Sequence, residues 1–155
     1  MLLNFSHHHP TAIVDQDRLE RLSEAALALV LASPAPESAA PGGCGEAPAE
    51  KVLPSLDEVE VSLVDDATIA DIHGQFLDDP TPTDVITFHH GEILISLDTA
   101  ARQAADHGES FEREVFRYVV HGLLHLLGHT DTIPAARTAM HAVQEEIVGK
   151  VWPMA

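Results

Sequence analysis

Along residues 58–64, Val59, Val61 and Leu63 alternate with Glu58, Glu60 and Ser62. A period of two turns the apolar side chains to one face, so this run predicts a half-buried strand. Earlier in the chain, Leu19, Leu22, Ala26, Leu27, Val30 and Leu31 recur at helical spacing behind a cap at Asp15 or Asp17, and Ser33-Pro34 ends that helix. Thr11 to Val14 reads as a short β-prone run before it. From about 33 to 54 the chain is Ala, Pro, Gly, Ser and Glu, with almost nothing to bury. That segment predicts a loop insertion and not a domain boundary, because too little chain precedes it to fold alone.

Asp65 or Asp66 caps a second helix running to about Leu77, and Pro80-Thr81-Pro82 forbids its continuation. Val85 to Phe88 and Ile93 to Ile95 are two apolar strands joined across His89-His90-Gly91-Glu92 as a hairpin. Residues 97–107 are helical in pattern and stop at Gly108. Ser110 opens a helix that is amphipathic over its first turns and, from Val115 to Leu127, apolar nearly all round, as in a helix at the centre of a domain. Gly128 is its C-cap. After Pro134 a last helix to about Val148 presents Met140, Val143, Ile147 and Val148. Interleaved helices and strands that include a hairpin place the chain in the α+β class, as one domain over residues 1–155.

Composition narrows the function. The 155 residues contain one cysteine, Cys44, in a Pro/Gly-rich setting, so no internal disulfide forms and a reduced, cytoplasmic protein is expected. A Cys-rich zinc module is excluded as well; a metal would need His and carboxylate ligands. No apolar run is long enough to span a membrane, and residues 1–10 lack the basic start and cleavage site of a secretory signal. His7-His8-His9 reads as either a tag remnant or a natural turn, and is kept out of the site. Against 8 basic residues stand 25 acidic ones, for a net charge of −17. Such a surface is soluble and self-repelling, and it counts against non-specific nucleic-acid binding.

The segment from His121 to Asp131 reads His-Gly-Leu-Leu-His-Leu-Leu-Gly-His-Thr-Asp. Residues four apart share a helix face, so His121 and His125 present their imidazoles side by side. Each histidine buried alone on an apolar helix would need its own partner, at a cost of about 1–3 kcal/mol if none were found. One shared metal ion meets both needs. Gly128 turns the chain back, so that a later residue can join them. His129 and Asp131 are the two candidates, and the ten-residue offset of the extended zincin pattern selects Asp131. Three protein ligands with an open fourth position are the layout of a catalytic zinc site. Zincin proteases place a glutamate base directly after the first histidine; here Gly122 stands there.

With Gly122, the segment resembles the metal motif of the YbeY family of bacterial endoribonucleases, His-Gly-x-Leu-His-Leu-x-Gly-x-x-His, at His121, Gly122, Leu124, His125, Leu126 and Gly128. Pro82-Thr83-Asp84-Val85-Ile86-Thr87-Phe88 is similar to the family's Pro-Thr-Asp-Val-Leu-Ser-Phe strand. Gly91-Glu92-Ile93-Leu94-Ile95-Ser96 is similar to its Gly-Asp-Ile-x-Ile-Ser strand. The three occur in the family's order and, with their flanking helices, cover roughly residues 56–148.

The resemblance implies a small α+β domain with a mixed sheet of about four strands and a metzincin-like metal helix. It implies one zinc ion held by His121, His125 and Asp131, with a zinc-bound water as nucleophile and no protein nucleophile. It further implies cleavage of single-stranded RNA, 3′-end maturation of small-subunit ribosomal RNA, ribosome quality control, and association with the small subunit. This chain departs from the family at Asp131, where histidine is usual, at Leu77, where arginine is usual, and in a shorter loop at His89 and His90. Arg102, Arg113 and Arg117 remain as candidate phosphate contacts, or as helix charges paired with Glu109, Glu112 or Glu114. Asp84 either orients a histidine or caps the turn after Pro82-Thr83. A peptidase-type metal hydrolase and a ribosome-associated factor without nuclease activity are the alternative functions.

Overall fold

The computed structural model describes residues 2–34, 52–77 and 83–152. Four strands form one sheet in the order β1-β2-β4-β3, where β1 is Leu2–His7, β2 Glu58–Val64, β3 Val85–Phe88 and β4 Glu92–Ser96. β2 pairs in parallel with both β1 and β4, and β3 closes the hairpin antiparallel to β4. Five α-helices are found among the described residues: α1 Gln16–Ala32, α2 Asp66–Leu77, α3 Leu97–His107, α4 Phe111–Leu127 and α5 Pro134–Val151. The α+β class and the mixed four-stranded sheet are as expected.

The local signals act where the sequence placed them. Asp15 accepts from the Arg18 amide to start α1, Asp65 from the Thr68 amide to start α2, and Ser110 from the Arg113 amide to start α4. Gly128, at φ +112°, ends α4 by donating its amide to the His125 carbonyl, while the His129 amide reaches the Leu124 carbonyl. That pair of bonds reverses the chain immediately after the two histidines.

α4 runs through the middle of the molecule, packed on α1, α3, α5, β3 and β4. Phe116, Leu123, Leu124 and Leu126 are fully buried on it, among Leu19, Val61, Ile93 and Ile95. Fully burying one such side chain is worth about 1.5–3 kcal/mol, so α4 anchors the core and, with it, the site it carries. A smaller cluster of Val64, Ile69, Ile86 and Leu94 packs α2 on the sheet.

Four expectations change. Residues 11–14 are not a strand: the Thr11 and Ala12 amides turn onto Nδ1 of His9, and Ile13 points into solvent. The first strand lies earlier, at Leu2–His7, where Leu3 and Phe5 pack inward against the core. His9 is a structural residue, buried and bonded through Nε2 to Asp98 at 2.8 Å. Leu31, assigned to the apolar face of α1, is exposed. Finally, the insertion does have something to bury at its far end. Leu53 is fully buried in a short 3-10 turn, Leu53–Ser55, and the Val52 amide donates to the Leu126 carbonyl at the end of α4. The rest of the insertion, with Cys44, and the Pro80-Thr81-Pro82 stop lie outside the described residues.

Candidate metal centre

His121 and His125 sit on the last two turns of α4, and the Gly128 reversal brings Asp131 back towards them. Nε2 of His121 lies 3.0 Å from Nε2 of His125, and Oδ2 of Asp131 lies 3.5 and 3.6 Å from the two nitrogens. The ring planes stand nearly perpendicular, at 84°.

The other ring nitrogens decide what this triangle is. Nδ1 of His121 is 2.7 Å from Oε1 of Gln144, and Nδ1 of His125 is 3.0 Å from the His129 carbonyl. Both partners are oxygen acceptors, so each imidazole carries its proton on Nδ1. The Gln144 amide is itself oriented, because its Nε2 donates to Oε2 of Glu145 at 3.2 Å. In neutral rings the two Nε2 lone pairs therefore face each other and a carboxylate oxygen. That arrangement is repulsive without a cation among them. A tetrahedral zinc ion with Zn–N bonds of about 2.0–2.1 Å sets its ligand atoms about 3.3 Å apart, and the observed distances bracket that separation. The three residues could hold a metal ion, and the donor set of two imidazoles and one carboxylate suits zinc.

With no cation among the three groups, a second proton on His121, at Nε2 towards Asp131, relieves the same repulsion. The bond to His121, set against partial burial, holds the Asp131 carboxyl down at about 2. Burial disfavours charge on His121, but Asp131 and Gln144 together outweigh it and raise its pKa. Burial and the neighbouring His121 push His125 down.

His129, the other candidate third ligand, is placed differently. Its ring is buried, its Nε2 finds no hydrogen-bond partner among the described residues, and burial lowers its pKa. It reaches the site through its carbonyl on His125.

Two cavities flank the triangle, of about 320 and about 280 Å³, and both are lined by Asp84, His121 and Asp131. The larger lies between α3, α4 and α5, with Tyr118, Arg137, His141 and Gln144 in its wall. The smaller is bordered by β3, His73 and His89. Asp84 itself accepts from the Val85 amide at 2.8 Å.

The arginines chosen from sequence are engaged elsewhere. Arg117 is nearly buried and clasps Glu109, Glu114 and Glu145. Arg113 lies 3.9 Å from Glu109, and Arg102 is paired with Asp66 at 2.6 Å. Leu77 ends α2. Sequence reasoning passed over Gln144. Its signal was a polar side chain inside the apolar stripe Met140, Val143, Ile147, Val148 of α5, where it is buried.

The family profile of endoribonuclease YbeY matches residues 44–151. An endoribonuclease YbeY of Salinibacter ruber is 35% identical over 115 residues, covering 64% of this chain and 73% of that protein. One of Myxococcus xanthus is 38% identical over 106 residues, covering 60% of this chain but 36% of that longer protein. In fold, the chain resembles the solution structure of a Thermotoga maritima protein with a TM-score of 0.62 at 23% identity, over 98% of this chain and 90% of that one. No helix among the described residues is long and apolar enough to cross a membrane. With the family profile spanning β2 to β4, the His121–Asp131 segment and the last helix, the chain belongs to the YbeY family of endoribonucleases.

Proposed function

We propose that this chain is a zinc-dependent endoribonuclease that cuts single-stranded RNA, with the precursor of small-subunit ribosomal RNA as its substrate and the small subunit as its partner. Ribosome quality control and a cytoplasmic location belong to the same reading. The observation that carries it is the pair of Nε2 atoms 3.0 Å apart, both turned inward by acceptors on Nδ1, beside the Asp131 carboxylate. His121, His125 and Asp131 are the metal ligands in this proposal. A zinc ion there would acidify water and polarise a phosphoryl oxygen, so hydrolysis needs no protein nucleophile.

The chain's own residues set the geometry. Gln144 and the His129 carbonyl hold both rings with Nε2 towards the opening between the two cavities, where a phosphodiester can lie with nucleotides on either side. A side chain at 122 would press on Ile93, so a peptidase on this site would need its general base from elsewhere in the fold.

The test is cleavage of single-stranded RNA by native protein, by protein stripped with chelator and resupplied with zinc, and by His125→Ala. Cleavage lost on stripping, restored by zinc and absent in the variant is the expected result. A His125→Ala protein that keeps both its zinc content and its cleavage rate sinks the reading.

A further inference from the structure

The nuclease reading leaves one question open: how a chain with a net charge of −17 holds a polyanion. Most of its described cations are already engaged. Arg102 pairs with Asp66, Arg113 with Glu109, Lys150 with Glu146, and Arg117 with three glutamates. Arg18 stacks over the Trp152 ring at 4.5 Å. Arg21 and Arg137 are left without an ion-pair partner among the described residues. Arg21 is on α1 and lines neither cavity, whereas Arg137 lines the larger cavity together with His121 and Asp131.

The face of α5 that carries Arg137 is fixed towards the site. Residues 137, 141 and 144 follow helical spacing and lie on one face. Gln144 is tied to His121 at 2.7 Å, and His141 and Arg137 follow about 4.5 and 10 Å further along the axis, on the same cavity wall. The acidic groups of that wall do not cancel Arg137. Glu114 is bound by Arg117, Asp131 belongs to the metal triangle, and Asp84, at the start of β3, accepts from the Val85 amide and makes no ion pair with Arg137 among the described residues. The one cation of that wall without an ion-pair partner among the described residues thus stands about two helical turns from Gln144 along α5 and lines the same cavity as His121 and Asp131.

We propose that Arg137, with His141 one turn on, binds a backbone phosphate of the RNA strand next to the phosphodiester that is cut. This rests on the nuclease reading. It assigns to α5 the electrostatic grip that Arg113 and Arg117 cannot give while they are paired with glutamates. Such a contact recognises phosphate and not base, so it strengthens binding equally across sequences.

The experiment is equilibrium binding of a fluorescent single-stranded oligouridylate in chelator, where the RNA stays intact, across a series of salt concentrations. It compares wild type, Arg137→Gln, Arg137→Lys and Arg21→Gln, the last removing the same charge from α1. Arg137→Gln is expected to bind about tenfold more weakly and to flatten the plot of log affinity against log salt by about 0.7, one single-strand phosphate. Arg137→Lys should keep the wild-type slope, and Arg21→Gln should resemble wild type. Equal losses in Arg137→Gln and Arg21→Gln would mean that only total charge matters, and would overturn the proposal. So would an unchanged slope in Arg137→Gln, or wild type that shows no salt-dependent binding. The nuclease reading fails separately, if zinc-loaded wild type leaves the RNA uncut. The Arg137 side chain is exposed and makes no ion pair, so its replacement should leave the thermal melt in place.

Discussion

Gly122 and Ile93 approach so closely that a β-carbon on the helix residue would lie 2.7 Å from Cδ1, 2.9 Å from Cγ2 and 3.0 Å from Cγ1 of the strand residue. Ile93 is fully buried on β4, next to β2 and β3, and its β-branch limits its rotamers, so it cannot swing aside. Glycine between the two metal-site histidines is therefore a packing requirement. It seats α4 against the sheet, and the same contact leaves no room for the glutamate base of a protease.

Gly122→Ala should destabilise the fold by up to about 2 kcal/mol, the overpacking cost less the helix propensity gained. Ile93→Val removes Cδ1, the nearest atom. Added to Gly122→Ala, it should cost less than the two single changes summed, as read from urea midpoints. Additive effects would show that the two residues do not press on each other.

Metal affinity should separate the two candidate third ligands. Asp131→Ala is expected to weaken zinc binding by more than about 100-fold in competition with a chromophoric chelator. His129→Ala keeps the carbonyl that orients His125, so it should leave zinc affinity within a few-fold and register as lost stability instead. The reverse pattern would move the ligand to His129.

Gln144 holds the His121 ring through Nδ1 and, in the zinc reading, would orient it without being a ligand. Gln144→Leu removes the acceptor from Nδ1 of His121 and should lower zinc affinity about 10- to 100-fold. Gln144→Glu keeps an acceptor there and should recover most of that loss. A Leu variant that binds zinc like wild type would mean that the ring holds its orientation through packing alone.

Arg117 makes stability depend on pH. Its hydrogen bond holds Glu109 below the ordinary carboxylate range in the folded protein. A group depressed in the fold contributes stability that is complete above its unfolded pKa, about 4.3 for glutamate, and is lost as pH falls through the folded value. Urea midpoints should thus fall below pH of about 4.3 in wild type and less steeply in Arg117→Met. At pH 7 the variant should be less stable by about 3 kcal/mol, because Glu114 is left buried without its partner. Parallel pH profiles for the two proteins would remove Arg117 from this role.

Much of the site was legible in local spacing. Val115 to Leu127 announces a central helix, positions 121 and 125 share a face, Ser110 and Gly128 mark its ends, and the ten-residue offset leads to Asp131. These are short-range properties: helical periodicity and the backbone freedom of glycine act within a few residues and hold whatever the rest of the chain does. Alternation likewise exposed β2, and two short apolar runs about a Gly-containing turn exposed the hairpin. β1 was not legible, because an edge strand of six residues ending in a histidine has little pattern of its own and exists through its parallel ladder to β2.

What the tertiary structure alone decided is which distant groups meet this segment. Gln144 lies 23 residues beyond His121, yet it sets which nitrogen of that ring faces inward. Arg117 has the spacing of a surface helix charge, but the turn between α3 and α4 and helix α5 close over it and supply two of its three glutamates, Glu109 and Glu145. Arg137 has no local signal, and stands at the site only because α5 packs along α4. The sequence by itself determined the donors and their order along one helix and its turn. Packing determined their ring orientation and which charges stay free, because both depend on contacts between elements that local periodicity does not encode.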